Sequence, residues 1–196
     1  SFQKYKAVDV SPIDSLYSMP FRLKKEMTID FGEHLTGYFS FSVRSTGLAA
    51  DGPLRFKLTF GEVPSEVAVS FDSYKEGLSR AWLQDEVVSV MYVPQTVTLP
   101  RRLAFRYVKI ELLGSSPYYD FNIHDMKCMA QTSAKNIPEE LPQAVDPMIR
   151  KIDRVGLNTL KECMQTVYED GPKRDQRLWI GDLYLEALGN NYSYKQ

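Results

Sequence analysis

GYFSFSVR, residues 37–44, alternates large apolar side chains with polar ones: Phe39, Phe41 and Val43 fall on one side, and Tyr38, Ser40, Ser42 and Arg44 on the other. A period of two marks a strand that buries one face. LRFKLTF at 54–60 repeats the pattern, placing Leu54, Phe56, Leu58 and Phe60 on a common face. Working outward, KEMTIDF (25–31) alternates imperfectly, and EVVSVMYV (86–93), RYVKIEL (106–112) and residues 121–130 continue the series. Asp51-Gly52-Pro53, Gly61, Pro94, Pro100, Gly114 and Pro117 separate the runs as turn signals. No helix-long periodic run interrupts them, which argues against alternating strands and helices. The expected fold is therefore mainly β, an antiparallel jelly-roll β-sandwich over residues 24–133. Residues 1–23 are weakly patterned and read as an N-terminal segment or linker. Residues 64–81 read as an ordered excursion from the sheet, and Glu33 and His34 as a loop.

The pattern changes after Ser133. Pro138 and Pro142 among mixed polar residues mark a linker over 134–146. Beyond it Ile149, Ile152, Val155, Leu160, Cys163, Met164 and Val167 recur at spacings of three, four and five, tracing one apolar face of a helix. Asp146 is placed as its N-cap, with Pro147 at the first helical position. Gly156 inside this helix suggests close packing against a neighbour. A second helix is expected from Arg177 to Leu188, carrying Trp179, Leu183 and Leu188. Two helices cannot enclose a core by themselves, because each has one partner for its apolar stripe. Residues 147–196 are thus read as the opening of a helical domain whose remainder lies outside this chain. Such a domain leaves an apolar face exposed, and a homodimer through these helices is one way to cover it.

Of the 196 residues, 43% are hydrophobic and 25% charged, enough to form a core. Twenty-four basic residues against 25 acidic ones give a net charge of −1, and the basic residues are dispersed. Nucleic-acid binding, which needs a concentrated basic surface, is not indicated. No apolar run reaches the length of a membrane span, so no membrane partner is expected. The two cysteines, Cys128 and Cys163, are too few for a disulfide framework or a metal site, and a buried free thiol is expected at Cys163. The two histidines, His34 and His124, lie a whole sandwich apart, which supports neither a metal centre nor a Ser-His-Asp system. No cofactor and no metal are expected.

Chemistry concentrates in EDGPKRDQRLWIGD, residues 169–182, where four carboxylates, three basic residues and a tryptophan surround a Gly-Pro turn. A turn between helices needs no such density. Carboxylates accept hydroxyl hydrogen bonds, Arg and Lys donate to oxygens, and an indole stacks on the apolar face of a sugar. Glycoside cleavage draws on the same groups, one carboxylic acid protonating the leaving oxygen and a second carboxylate assisting. A salt-bridged helix cap built from Asp175 and Asp182 accounts for the composition equally well.

This stretch resembles the active-site signature of the α-L-rhamnosidases of glycoside hydrolase family 78. That signature carries an Asp, a Pro two positions on, an Arg two further, an acid Glu two further with an Arg beside it, and then Trp-x-Gly-Asp. Asp170, Pro172, Arg174, Arg177, Trp179, Gly181 and Asp182 fit it. Upstream, residues 30–43, 55–62 and 106–111 look like the sandwich that precedes the catalytic barrel in this family, so the resemblance spans roughly residues 28–192. It implies a jelly roll followed by the start of an (α/α)6 barrel, and inverting hydrolysis of terminal α-L-rhamnosides by the full-length parent. The implied partner is a rhamnose-containing carbohydrate, contacted by Asp170, Arg174, Trp179 and Asp182. The acid's position has two registers: counted forward from Asp170 it falls on Gln176, and counted back from Trp179 and Asp182 it falls on Asp175. The Arg pair favours the first register, whereas chemistry favours Asp175, because an amide cannot donate a proton as a carboxylic acid does. The family's general base lies later in the barrel, so this chain alone is expected to be inactive. A non-catalytic carbohydrate-binding sandwich, its helices serving only as a cap, is the competing reading.

Overall fold

The computed structural model describes residues 10–75, 77 and 79–196. They divide into two compact units, one ending at Met129 and the other running from Ala130 to Gln196.

In the first unit two short helices, α1 (Ile13–Tyr17) and α2 (Phe21–Lys24), lead into β1 (Glu26–Thr46) and β2 (Leu54–Gly61). A one-turn helix α3 (Pro64–Ala68) and two 3-10 turns (Phe71–Ser73 and Arg80–Trp82) precede β3 (Asp85–Val90), β4 (Gln95–Thr98), β5 (Leu103–Gly114) and β6 (Asp120–Ala130). The strand order is β3-β2-β5-β1-β4, with β6 also paired to β1.

β1 organises this network. Its first half, from Glu26 to Gly37, runs antiparallel to β5, and its second half, from Ser40 to Val43, runs antiparallel to β4. The layers are read from ring contacts. β5 lies between β1 and β2, so flat pairing would hold their side chains roughly 9–10 Å apart. Instead Phe41 of β1 meets Phe56 of β2 edge-on at 5.9 Å, and Phe56 meets Phe121 of β6 at 5.8 Å. The second half of β1, with β6, therefore faces β2 across a core, as the two layers of a sandwich do. The alternation in GYFSFSVR decides which side chains enter: Phe39, Phe41 and Val43 are buried, as are Leu54, Phe56, Leu58 and Phe60 opposite. Phe39 sits amid Phe31, Phe41, Phe60 and Phe105 at centroid distances of 5.3 to 6.2 Å. Each such pair contributes about 0.5–1.5 kcal/mol beyond the apolar area it removes from water.

Three differences from the sequence reading have local causes. KEMTIDF and GYFSFSVR form one strand of 21 residues, because the expected loop at Glu33 and His34 is a bulge. Register is lost between Asp30, opposite Tyr107, and Leu35, opposite Phe105. Gly32 turns the chain there with a φ of +84°, and its N–H donates to Asp30 Oδ1 at 2.8 Å. A glycine with that backbone resembles a turn in sequence and a bulge in space. The strand begun at Asp85 stops at Val90, leaving Met91 and Tyr92 exposed, while the polar QTVT pairs as β4. Finally, residues 13–24 place Leu16 and Phe21 in the aromatic core, Phe21 lying 6.0 Å from Phe56. Helices of four and five residues are too short to show a period. Residues 1–9 of that expected segment lie outside the described residues.

The second unit holds α4 (Pro147–Cys163) and α5 (Ile180–Tyr192). Asp146 caps α4, its Oδ1 accepting from the N–H of Met148 at 2.7 Å and of Ile149 at 3.4 Å, with Pro147 in the first turn. The segment before α4 is tied to its own unit: Thr132 Oγ1 donates to the Lys161 carbonyl, and Asn136 Nδ2 to that of Tyr194. Close packing falls on Gly189 rather than Gly156. A Cβ at 156 would meet nothing within 4 Å, whereas one at 189 would stand 3.3 Å from Leu160 Cδ2. Ile149, Ile152 and Val155 on α4, and Ile180, Tyr184 and Leu185 on α5, are exposed.

Phe39→Ala is expected to cost about 3–5 kcal/mol in chemical denaturation, since it removes a ring wedged among four others. Ser40→Ala, on the opposite side of the same strand, should change stability by less than about 0.5 kcal/mol.

Candidate functional site

The candidate site lies in the second unit, where the chain passes from the end of α4 to the start of α5. α4 stops at Cys163, about one turn before the Val167 expected from its apolar spacing. Met164 and Tyr168 form a bridge instead, and the Glu169 N–H returns to the Cys163 carbonyl at 2.9 Å. This folds Glu169 back under the helix, where it is buried.

Residues 170–177 form a closed loop. The Asp170 N–H donates to the Arg177 carbonyl at 3.0 Å, and the Arg177 N–H donates to Asp170 Oδ1 at 3.1 Å. Inside it Gly171-Pro172-Lys173-Arg174 makes the turn, and the Gln176 N–H reaches the Arg174 carbonyl at 2.9 Å. Asp175 and Gln176 both adopt left-handed backbone, with φ of 67° and 53°. For residues other than glycine this conformation costs on the order of 1–3 kcal/mol and persists only where surrounding contacts enforce it. It also explains why the second helix starts at Ile180 and not at Arg177.

The two candidates for the acid differ in what holds them. Gln176 is committed to the loop, its Nε2 donating to the Pro172 carbonyl at 2.7 Å. Asp175 is half-buried, and no hydrogen bond or ion pair engages its carboxyl among the described residues. Trp179 caps α5 with its indole half exposed, and Asp182 stands in the first turn of α5, where a negative charge suits the helix N-terminus. Asp170 and Arg177 are thus joined across the loop, Trp179 and Asp182 share the start of one helix, and Arg174 is exposed on the turn.

One residue was missed in the sequence. Glu186 lies one helical turn beyond Asp182 on the same face of α5 and is hydrogen-bonded to the Cys163 side chain. Its only signal was that four-residue spacing. Burial raises the Glu186 carboxyl above the usual range; the Cys163 hydrogen bond opposes this, and the charges of Asp182, Asp170 and Glu169 reinforce it. Burial, reinforced by the charge and hydrogen bond of Glu186, pushes the Cys163 thiol up to about 12. Cys163 is a free thiol and is buried. Among the described residues no group of His, Cys, Asp and Glu is arranged to hold a metal ion, and no helix is long and apolar enough to cross a membrane. A separate cleft of about 420 Å³, lined by Ile137, Leu141, Arg150, Arg154, Leu157 and Tyr194 among others, shares no residue with the 169–182 stretch.

The chain belongs to glycoside hydrolase family 78: residues 1–130 match the family's alpha-rhamnosidase N-terminal domain. Among solved structures it is similar to a rhamnosidase from Klebsiella oxytoca with rhamnose bound, at 38% identity and a TM-score of 0.90, covering 97% of this chain and 37% of that one. It also shares its fold with a family 78 rhamnosidase of Bacillus sp. GL1, at 21% identity and a TM-score of 0.68 over 87% of this chain and 16% of that one. The chain therefore spans well under half the length of either. No curated protein matches it.

A thiol this basic is nearly all protonated at neutral pH and is a poor nucleophile. Cys163 should resist iodoacetamide in the folded chain at about pH 8 and react on denaturation, which mass spectrometry of labelled peptides reads directly.

Proposed function

We propose that the full-length protein from which this chain derives hydrolyses terminal α-L-rhamnosides with inversion, and that residues 170–182 supply its acid and part of its sugar pocket. Family membership and the similarity to a rhamnose-bound enzyme support the sugar class. The observation that carries the assignment of roles is the contrast between Asp175 and Gln176. The amide of Gln176 is spent on holding the loop shut, while the neighbouring carboxyl is left without a partner on a backbone that departs from the relaxed form.

In this reading Asp175 delivers its proton to the glycosidic oxygen as the bond to the sugar breaks. Asp170 and Asp182 accept hydrogen bonds from sugar hydroxyls, Arg174 donates to sugar oxygens, and the exposed indole of Trp179 stacks on the apolar sugar face. Inversion needs a second carboxylate roughly 6.5–9.5 Å from the acid, with room for a water between them. By resemblance it comes from a later part of the barrel, so the chain of 196 residues is inactive alone. The exposed apolar faces of α4 and α5 fit the same reading, as surfaces for further helices of that barrel or for a second copy of the chain.

The test is hydrolysis of an aryl α-L-rhamnoside by the full-length parent. Asp175→Asn should lower kcat by about 10²–10⁴ with KM nearly unchanged, the signature of a group that acts in the transition state. An inert parent that Gln176→Glu makes active would overturn this assignment and indicate a natural sugar binder.

A further inference from the structure

Four acidic side chains gather where α4 ends and α5 begins: Glu169 and Asp170 on the connecting segment, and Asp182 and Glu186 on α5. Glu186 is set apart from the others by its surroundings. Its Oε2 is shielded from solvent and has no hydrogen-bond partner among the described residues. The group facing it from α4 is the Cys163 thiol, which stays protonated, and the charges acting on it from the segment and from its own helix are those of Glu169, Asp170 and Asp182. No cation is among them. A carboxylate with one oxygen shielded from water, set among negative charges, is a costly arrangement, and a proton lowers that cost.

We propose that Glu186 is a positioning residue that carries the proton of this acidic cluster, and that it acts on the sugar through Asp170 and Asp182 by sparing them a third neighbouring negative charge. The idea rests on the rhamnoside reading of residues 170–182. Asp170 and Asp182 serve as hydroxyl acceptors best as carboxylates, and two carboxylates tolerate each other more easily than three. Each helical turn brings Asp182 and Glu186 onto one face, so the charge of Glu186 would be felt there first. The upward displacement of the Glu186 carboxyl by burial has the same sign: the residue is neutral at lower pH and ionises as pH rises through its displaced value.

The experiment uses the full-length parent and two readouts. Calorimetric titration with L-rhamnose should show affinity falling on the alkaline side as Glu186 ionises, by about tenfold if the coupling amounts to one pKa unit. Glu186→Gln, which mimics the neutral acid, should bind as tightly as the parent at low pH and lose the alkaline fall; Glu186→Asp should keep it. The same fall in Glu186→Gln, or weak binding by that variant at every pH, overturns the proposal. Infrared spectroscopy followed against pH should show a protonated-carboxyl carbonyl band that Glu186→Gln removes and that outlasts those of the exposed carboxyls as pH rises, and a spectrum without such a band overturns the proposal whatever sugar binds. If that band is present but rhamnose does not bind, the proton on Glu186 stands and the rhamnoside reading falls.

Discussion

The sandwich depends on the two-residue alternation of β1. Because successive side chains of a strand point to opposite faces, Phe39, Phe41 and Val43 enter the core together, and a slip of one residue would replace them with Tyr38, Ser40 and Ser42. β1 is also the strand through which both layers are joined, pairing with β5 in its first half and with β4 in its second. The bulge at residues 31–34 lies within the half paired to β5. There Phe31 reaches Phe105 at 5.4 Å and Phe39 at 6.2 Å, so the irregular stretch still contributes a ring to the core. Away from the core, polar side chains also pair across strands, as in the two-pronged contact of Arg106 with Asp30 at 2.7 and 2.9 Å. That contact holds the Asp30 carboxyl below its ordinary range.

The second unit follows a different rule. Its order comes from polar closure more than from apolar burial: a helix capped by Asp146, a bridge from Met164 to Tyr168, and a loop clasped by Asp170 and Arg177. Tyr194, buried near the end of the chain, donates from its hydroxyl to the Leu157 carbonyl of α4 at 2.8 Å. Meanwhile much of the apolar surface of α4 and α5 faces solvent. A unit built in this way can hold the candidate loop in a defined shape while leaving its helices ready to pack against further structure.

Much of the sandwich was legible in the sequence, because burial of one strand face writes itself as a period of two. The members of the two clearest runs, Phe39, Phe41 and Val43 and then Leu54, Phe56, Leu58 and Phe60, all reach the core. What escaped had no period to read: β4 is four residues long and polar, and α1 and α2 are one turn each. Family 78 was recognisable from one dense motif and three stretches of strand, and the match over residues 1–130 agrees with it. The detail of the candidate site was less legible. Asp175 and Gln176 differ in what their side chains reach on a left-handed backbone, and torsion is not encoded in residue spacing. Glu186 was hidden for a related reason, since its neighbours Cys163, Glu169 and Asp170 come together only when the end of α4 folds back on itself.

The central claim is that residues 170–182 form part of a pocket for a rhamnose-like sugar. Its most direct test is equilibrium binding of L-rhamnose to the full-length parent and to Trp179→Ala and Asp182→Asn variants with unchanged circular dichroism. Loss of a stacked indole or a charged hydroxyl acceptor should weaken binding by roughly tenfold or more in each variant, the equivalent of about 1.5–3 kcal/mol. Affinity equal to the parent in both variants would contradict the account and move the sugar site elsewhere in the protein.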